Sequence, residues 1–354
     1  MNPTLRVLVV DDSVVNRFSI EAVLRAHDRI EVIGHAKNGE EALQIALTKK
    51  PDVITLDIEM PKMDGFTFLR ILMSKQPTPV IVVSSYGSKE TVFRALELGA
   101  LDFVARAHDR PDDQSVLQQI VAKVLLARSV GLLPHATYKT PPLGMPAVRT
   151  KADPTEAVAG LPIKHLVVIA ASTGGPSALM EIFDRLPAKF PGAVLVAQHM
   201  PDRFTKTFAE RLDRRSSISV QEAKDLDVVM THRAFVCPGG LVTTVRAAVT
   251  GTPGEIVVMC GAPTSPDRYA PSADLLMESA AKVGGARTLG VILTGMGDDG
   301  VKGARAIRAA GGKVIVESEE TAIVNGMPGA AVRAKAVDRV MRLGDIAAYL
   351  ANLA

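Results

Sequence analysis

Two groups of side chains in this sequence are of types that do chemistry. The first is a set of aspartates. Asp11 and Asp12 directly follow the apolar run Leu5–Val10, and Asp57 closes the run that begins at Val53. Carboxylates gathered at one sheet edge repel and raise one another's pKa. A hard divalent cation relieves the repulsion, and oxygen donors of this kind suit Mg²⁺. An aspartate beside such a cation can attack a phosphoryl donor, because the metal offsets charge on the transferring group. Taken singly, each aspartate could instead cap a helix.

The second group is a serine, a histidine and a pair of aspartates. Ser172 ends an apolar run and is followed by Thr173-Gly174-Gly175-Pro176. That places it at a strand–helix junction, near backbone N–H groups that favour developing negative charge. His199 ends the next apolar run, and Asp298 and Asp299 lie in the glycine-rich loop 295–300. Serine, histidine and carboxylate at one edge make a nucleophile, a base and an orienting acid. The bland alternative is that Ser172 only caps the helix. A rival reading takes Gly295, Gly297 and Gly300 as a dinucleotide fingerprint, with Glu317 for a ribose. Two aspartates against a pyrophosphate speak against it. The order Ser, His, Asp differs from that of α/β-hydrolases, and Ala170 stands where a G-x-S-x-G elbow needs glycine, so the hydrolase would be of a separate lineage.

These groups need a sheet with one functional edge. Runs Leu5–Val10, Glu31–Ala36, Val53–Asp57, Val80–Ser84 and Asp102–Ala105 read as strands separated by helical spacing, with a last helix at about Ser115–Leu126. Near-continuous apolar strands alternating with helices predict a doubly wound parallel sheet. Residues 129–162 hold scattered prolines and no apolar period, which predicts a linker. Alternation resumes with His165–Ala170, Ala193–Gln198, Ala234–Cys237, Thr288–Thr294 and Lys313–Glu317. The expected organisation is therefore α/β throughout: a doubly wound domain over 1–128, the linker 129–162, and a mostly parallel α/β domain over 163–354.

Bulk properties exclude several classes. The 354 residues are more than one core usually accommodates. A net charge of +3 and 4% aromatics give no basic stripe for nucleic acid. Cys237 and Cys260 make no metal spacing or disulfide framework and read as buried free thiols. The run Leu5–Val10 breaks at two aspartates and reads as neither signal peptide nor membrane span, so a soluble, cytoplasmic protein is expected.

The first segment resembles the response-regulator receiver family: VLVVDDS, VITLDIEMPKMDG, VIVVSS and LELGALDFVAR occur in order. The resemblance implies a flavodoxin-like domain with Asp57 as phosphoacceptor, and Asp11, Asp12 and the backbone carbonyl of Glu59 holding Mg²⁺. It further implies Ser84 as the hydroxyl contacting the phosphoryl group and Phe103 as the aromatic that reorients on activation. A histidine kinase would be the phosphodonor. Arg106 and Ala107 depart from the family's lysine and proline, which predicts weaker coupling of phosphorylation to activation.

The second segment resembles the catalytic domain of the chemotaxis protein-glutamate methylesterases, the CheB family, through ASTGGP, QHMP, CPGG, PSAD, LTGMGDDG and GMPGAA. That resemblance implies Ser172 as nucleophile, His199 as base and Asp299, rather than Asp298, as orienting acid. The Met296 backbone N–H would serve the oxyanion hole with Thr173 assisting. No cofactor is implied in this domain. The implied substrates are glutamate methyl esters and glutamines of methyl-accepting chemoreceptors, with membrane association only through those receptors. Leu241-Val242 and Asn325 replace residues common in the family and bear on substrate preference.

Overall fold

The computed structural model describes residues 4–85, 89–106, 113–130, 163–249, 254–264 and 269–353. Ala107 and most of the expected linker, 131–162, lie outside the described residues. The chain divides into two compact units, Met1–Leu143 and Gly144–Ala354.

In the first unit, β1 (Leu5–Val10), β2 (Ile30–Ala36), β3 (Val53–Leu56), β4 (Val80–Ser85) and β5 (Asp102–Arg106) alternate with α1 (Val14–Arg25), α2 (Gly39–Lys49), α3 (Gly65–Lys75), α4 (Lys89–Glu97) and α5 (Gln114–Val130). The strands form one parallel sheet in the order β2-β1-β3-β4-β5. Val53, Ile54 and Leu56 are all buried, as strands covered on both faces require. The order in which strands are added reverses between β1 and β3, so their carboxyl ends flank the crevice where ligands of such sheets bind. Ser13 caps α1, Asn38 caps α2 and Asp64 caps α3, which frees Asp11, Asp12 and Asp57 from that duty. The last helix is longer than its apolar pattern suggested and runs to Val130.

The second unit is built on a seven-stranded parallel sheet, with β6 (His165–Ala171), β7 (Gly192–Gln198), β8 (Ser219–Glu222), β10 (Arg233–Val236), β13 (Thr288–Ile292), β14 (Lys313–Glu317) and β15 (Arg339–Met341). Its order is β15-β14-β13-β6-β7-β10-β8. A separate antiparallel sheet joins β9 (Val228–Val229), β11 (Val242–Ala247) and β12 (Ile256–Gly261) in the order β11-β12-β9. The helices are α6 (Gly175–Phe183), α7 (Asp202–Arg215), α8 (Ala273–Gly284), α9 (Val301–Ala309), α10 (Met327–Arg333) and α11 (Leu343–Ala351). Phe183, Phe190, Phe204 and Phe208 are fully buried around α6 and α7. Burying each such side chain stabilises by roughly 1.5–3 kcal/mol.

The functional edge follows from the strand order. From β6 the chain builds outward through β7 on one side, and from β13 through β14 on the other. The reversal between β6 and β13 leaves a crevice at their carboxyl ends. No helix among the described residues is long and apolar enough to cross a membrane.

Candidate functional site

In the first unit the structure brings the three aspartates together. One carboxylate oxygen from each of Asp11, Asp12 and Asp57 lies within 4.8 Å of the others. Asp11 is buried, and its Oδ1 accepts the Ser13 N–H at 2.9 Å and the Asn16 amide at 3.1 Å. Burial raises its pKa, with the Arg106 charge opposing. Asp57 is pushed up to about 7 by burial and then by the Asp11 charge, again against Arg106. Clustered hard oxygens, with the Asp11 and Asp57 carboxyls pushed up, are a set that a small divalent cation fits. The exposed Glu59 donates its N–H to Asp57 Oδ1 at 3.3 Å.

Arg106 reaches this cluster end-on. Its Nη2 lies 3.4 Å from Asp11 Oδ2 and 3.7 Å from Asp57 Oδ2. One nitrogen faces two carboxylates, so the guanidinium does not use its bidentate fork. Its Nε is buried with no partner among the described residues. Ser84 is buried opposite Ala105 in the β4–β5 ladder. Phe103 is turned inward, edge-on to Phe93 at 6.5 Å.

In the second unit three strand ends converge. Ser172 follows β6, and its N–H donates to Thr294 O at 3.0 Å, beyond the end of β13. His199 follows β7, and its N–H donates to Ala171 O at 2.9 Å. The turn after the serine closes through Gly175 N–H to Ser172 O at 2.8 Å. Gly174, not Ser172, is the residue capping α6; it has φ +78°, and no side chain caps this helix. The capping explanation of Ser172 is thereby removed. A Cβ on Gly295 would stand 2.7 Å from Ser172 Cβ, so only glycine fits beside the serine.

His199 Nε2 bonds Asp299 Oδ2 at 2.8 Å. That bond assigns the proton to Nε2 and leaves Nδ1 as the nitrogen able to accept one. Asp299 is 3% exposed, and its carboxylate also accepts the N–H groups of Ala273 at 2.8 Å and Asp274 at 2.9 Å. It therefore sits on the N-terminus of α8, where the helix favours negative charge. Burial pushes its pKa up, but the bond to His199, the charge of that residue and the two N–H donors outweigh it and hold the carboxyl below the usual range. Asp298 is exposed. Thr173 is buried, and Met296 is 46% exposed at the same edge.

Three further side chains support the site, and no motif in the sequence assigns them a role. Gln198 is 1% exposed, and its Nε2 donates to both Ser172 O and His199 O at 2.9 Å. Thr294 Oγ1 donates to Thr173 O and accepts the Val324 N–H, each at 2.9 Å. Tyr269 lies flat on the His199 ring, with centroids 4.7 Å apart and planes 4° apart. The QHMP run did draw attention to His199 but gave Gln198 no role. Nothing near Tyr269 in sequence links it to His199.

Glu317 is buried, and its Oε2 accepts the Thr294 N–H at 2.8 Å. It holds the crevice wall from inside and is not placed to meet a ribose, which removes the support for a dinucleotide. Burial pushes its pKa up to about 7, with the Thr294 bond opposing. A carboxyl whose folded pKa is raised binds its proton more tightly in the native state. Its stabilisation is full below the unfolded value near 4.5 and is lost as pH rises through about 7. Glu317→Gln keeps an acceptor for Thr294 and should remove this loss. At pH 8 the variant is expected to be more stable by on the order of 3 kcal/mol. Thermal melts of both forms at pH 5 and pH 8 check it, and equal pH dependence would contradict it.

Of the two thiols, Cys237 is buried and pushed up to about 12 by burial. Cys260 is only half-buried, contrary to expectation, because β12 belongs to the small antiparallel sheet and not to the main one.

The CheB methylesterase family matches residues 167–350, and the response regulator receiver domain family matches residues 7–121. A protein-glutamate methylesterase/protein-glutamine glutaminase of Myxococcus xanthus is 45% identical, covering 99% of this chain and 97% of its own. One from Archaeoglobus fulgidus is 42% identical, covering 97% and 96%. The crystal structure of the Thermotoga maritima CheB methylesterase catalytic domain superposes with a TM-score of 0.51 at 36% identity, covering 54% of this chain and 98% of that one. With a receiver domain preceding the hydrolase fold and full-length similarity on this scale, the chain belongs to the CheB methylesterase family.

Proposed function

We propose that this protein hydrolyses γ-methyl esters of glutamate on chemoreceptors, deamidates glutamines there, and is switched by phosphorylation of Asp57. The observation that carries the reading is the His199–Asp299 bond, held on the N-terminus of α8 at the edge that bears Ser172. His199 Nδ1 takes the proton of Ser172 Oγ as Oγ attacks the ester carbonyl carbon. The backbone N–H of Met296, with Thr173 nearby, faces the oxyanion; one such donor supplies roughly 3–4 kcal/mol of barrier lowering. The carbon–methoxy bond breaks, and His199 returns the proton so that methanol leaves. A water deprotonated by His199 then attacks the acyl-serine, the acyl–Oγ bond breaks as His199 returns the proton to Ser172 Oγ, and glutamate is released. With glutamine as substrate the leaving group is ammonia.

In the receiver, Asp57 attacks the phosphoryl group of a phosphohistidine on a kinase. Asp11, Asp12 and the carbonyl of Glu59 would hold Mg²⁺, which when bound offsets charge on the transferring group. The protein meets the membrane only through its receptors and has no role on nucleic acid. The test is methanol release from methylated receptor membranes, with and without a small phosphodonor and Mg²⁺. Stimulated release supports the reading, and absence of release under both conditions rejects it.

Arg106 bears on the switch. A lysine ammonium is a compact point donor, whereas a guanidinium is bulkier and prefers bidentate contacts. Arg106→Lys is therefore expected to raise the ratio of stimulated to basal methanol release at matched phosphorylation. Equal ratios would reject the idea, and a larger ratio for the parent would reverse it.

A further inference from the structure

We propose that Tyr269 is a positioning residue for the base, fixing the plane of the His199 imidazole so that Nδ1 points at the nucleophile. The inference rests on His199 acting as the base. A hydrogen bond to Asp299 fixes one point of the ring, Nε2, at 2.8 Å. Nε2 lies close to the Cβ–Cγ axis, so that bond alone restrains turning about Cβ–Cγ only weakly, and such turning would swing Nδ1 out of register. A second aromatic face removes that freedom. The Tyr269 ring lies 4° from parallel to the imidazole with centroids 4.7 Å apart, an offset stack that resists rotation out of plane.

Tyr269 is itself anchored from two sides. The next residue, Ala270, accepts the Gly240 N–H at 3.1 Å, and Ser272 caps α8. Its hydroxyl fits against Gly297, where an added Cβ would stand 2.5 Å from Oη. Gly297, with φ +89°, is in the loop that carries Asp299. The tyrosine therefore contacts the base and the loop of the orienting acid together.

The test uses the full chain, with methanol release from methylated receptor membranes and labelling of Ser172 by a fluorophosphonate. Tyr269→Phe keeps the stack, and its kcat should stay within about threefold of the parent. Tyr269→Leu keeps bulk but loses the flat face, and kcat should fall by roughly ten- to a hundredfold at nearly unchanged KM. Serine labelling should slow in proportion. Should the leucine variant fail to fold, Tyr269→Gln serves in its place. A leucine variant with parental kcat would overturn the inference, as would a rise in KM alone or equal losses in Phe and Leu. Activity retained in His199→Ala would instead reject the triad, which separates that failure from this one.

Discussion

Ser172→Ala should abolish methanol release while leaving both the fold and Asp57 phosphorylation intact. The structural bonds of this residue are made by its backbone: N–H to Thr294, and O from Gly175 N–H and the Gln198 amide. Its Oγ caps no helix, since Gly174 holds that position at α6. Removing one half-buried hydroxyl that caps nothing should change stability by less than about 0.5 kcal/mol. Chemistry loses far more, because in the proposed mechanism no other group supplies the attacking oxygen. The residual from oxyanion donors and binding leaves a loss of roughly a millionfold in such triads. Asp57, the proposed phosphoacceptor, belongs to the other compact unit, so labelling from a phosphodonor should match the parent. Methanol release and phosphoryl incorporation measured on one preparation check both halves. More than a trace of esterase activity in the variant would sink the nucleophile assignment. Lost phosphorylation would point to damage spreading between units.

How far the sequence reached depended on the range of each signal. The strands Leu5–Val10 and Lys313–Glu317 were legible to the residue, because a continuous apolar run between charges or glycines has few alternatives. The antiparallel sheet was not foreseen. Its β9 is only Val228–Val229, and β11, VTTVRA, mixes threonine and arginine into a weak alternation. Such strands are stabilised by pairing across the chain, which local pattern does not carry. The strand expected over Thr288–Thr294 stops at Ile292: Leu293 N–H still bonds Ala170 O, but Thr294 turns its N–H to Glu317 and its carbonyl to the Ser172 N–H.

The site divides in the same way. Ser172 and His199 stood out because each follows an apolar run, and the two aspartates because they lie in the glycine-rich loop after one; strand ends of a parallel sheet share one edge. The residues that hold them were not. Gln198 acts through two backbone carbonyls, Tyr269 through a face-on contact, and Glu317 through one buried N–H. Glutamine, tyrosine and glutamate have many ordinary uses, so residue type alone marks none of them. Folding marks them, by burying polar atoms whose bonds then have to be accounted for.

The same accounting separates the two adjacent aspartates, and Asp299→Asn should be far more damaging than Asp298→Asn. Asp298 is exposed, whereas both oxygens of Asp299 accept bonds. Oδ2 takes His199 Nε2 and the Ala273 N–H; Oδ1 takes the Asp274 N–H and, at 3.1 Å, the Gly300 N–H. An asparagine offers one acceptor atom and one donor group. If its NH₂ faces His199 and Ala273, Nε2 must become the acceptor and Nδ1 carries the proton. The base then cannot take a proton from Ser172, which in a triad costs about 10⁴ in kcat. If instead the NH₂ faces Asp274 and Gly300, two buried N–H donors lose their acceptor, at about 1–3 kcal/mol each. Either orientation is harmful, and both remove the charge that stabilises the imidazolium. Because the Asp299 carboxyl is held below its ordinary value of 3.8, it stays ionised at every pH where the base is active, so loss of activity on mild acidification does not come from this group. The measurement is kcat for both asparagine variants beside their thermal melts. Comparable losses in two folded variants would contradict the assignment, and a loss confined to Asp298→Asn would reverse it.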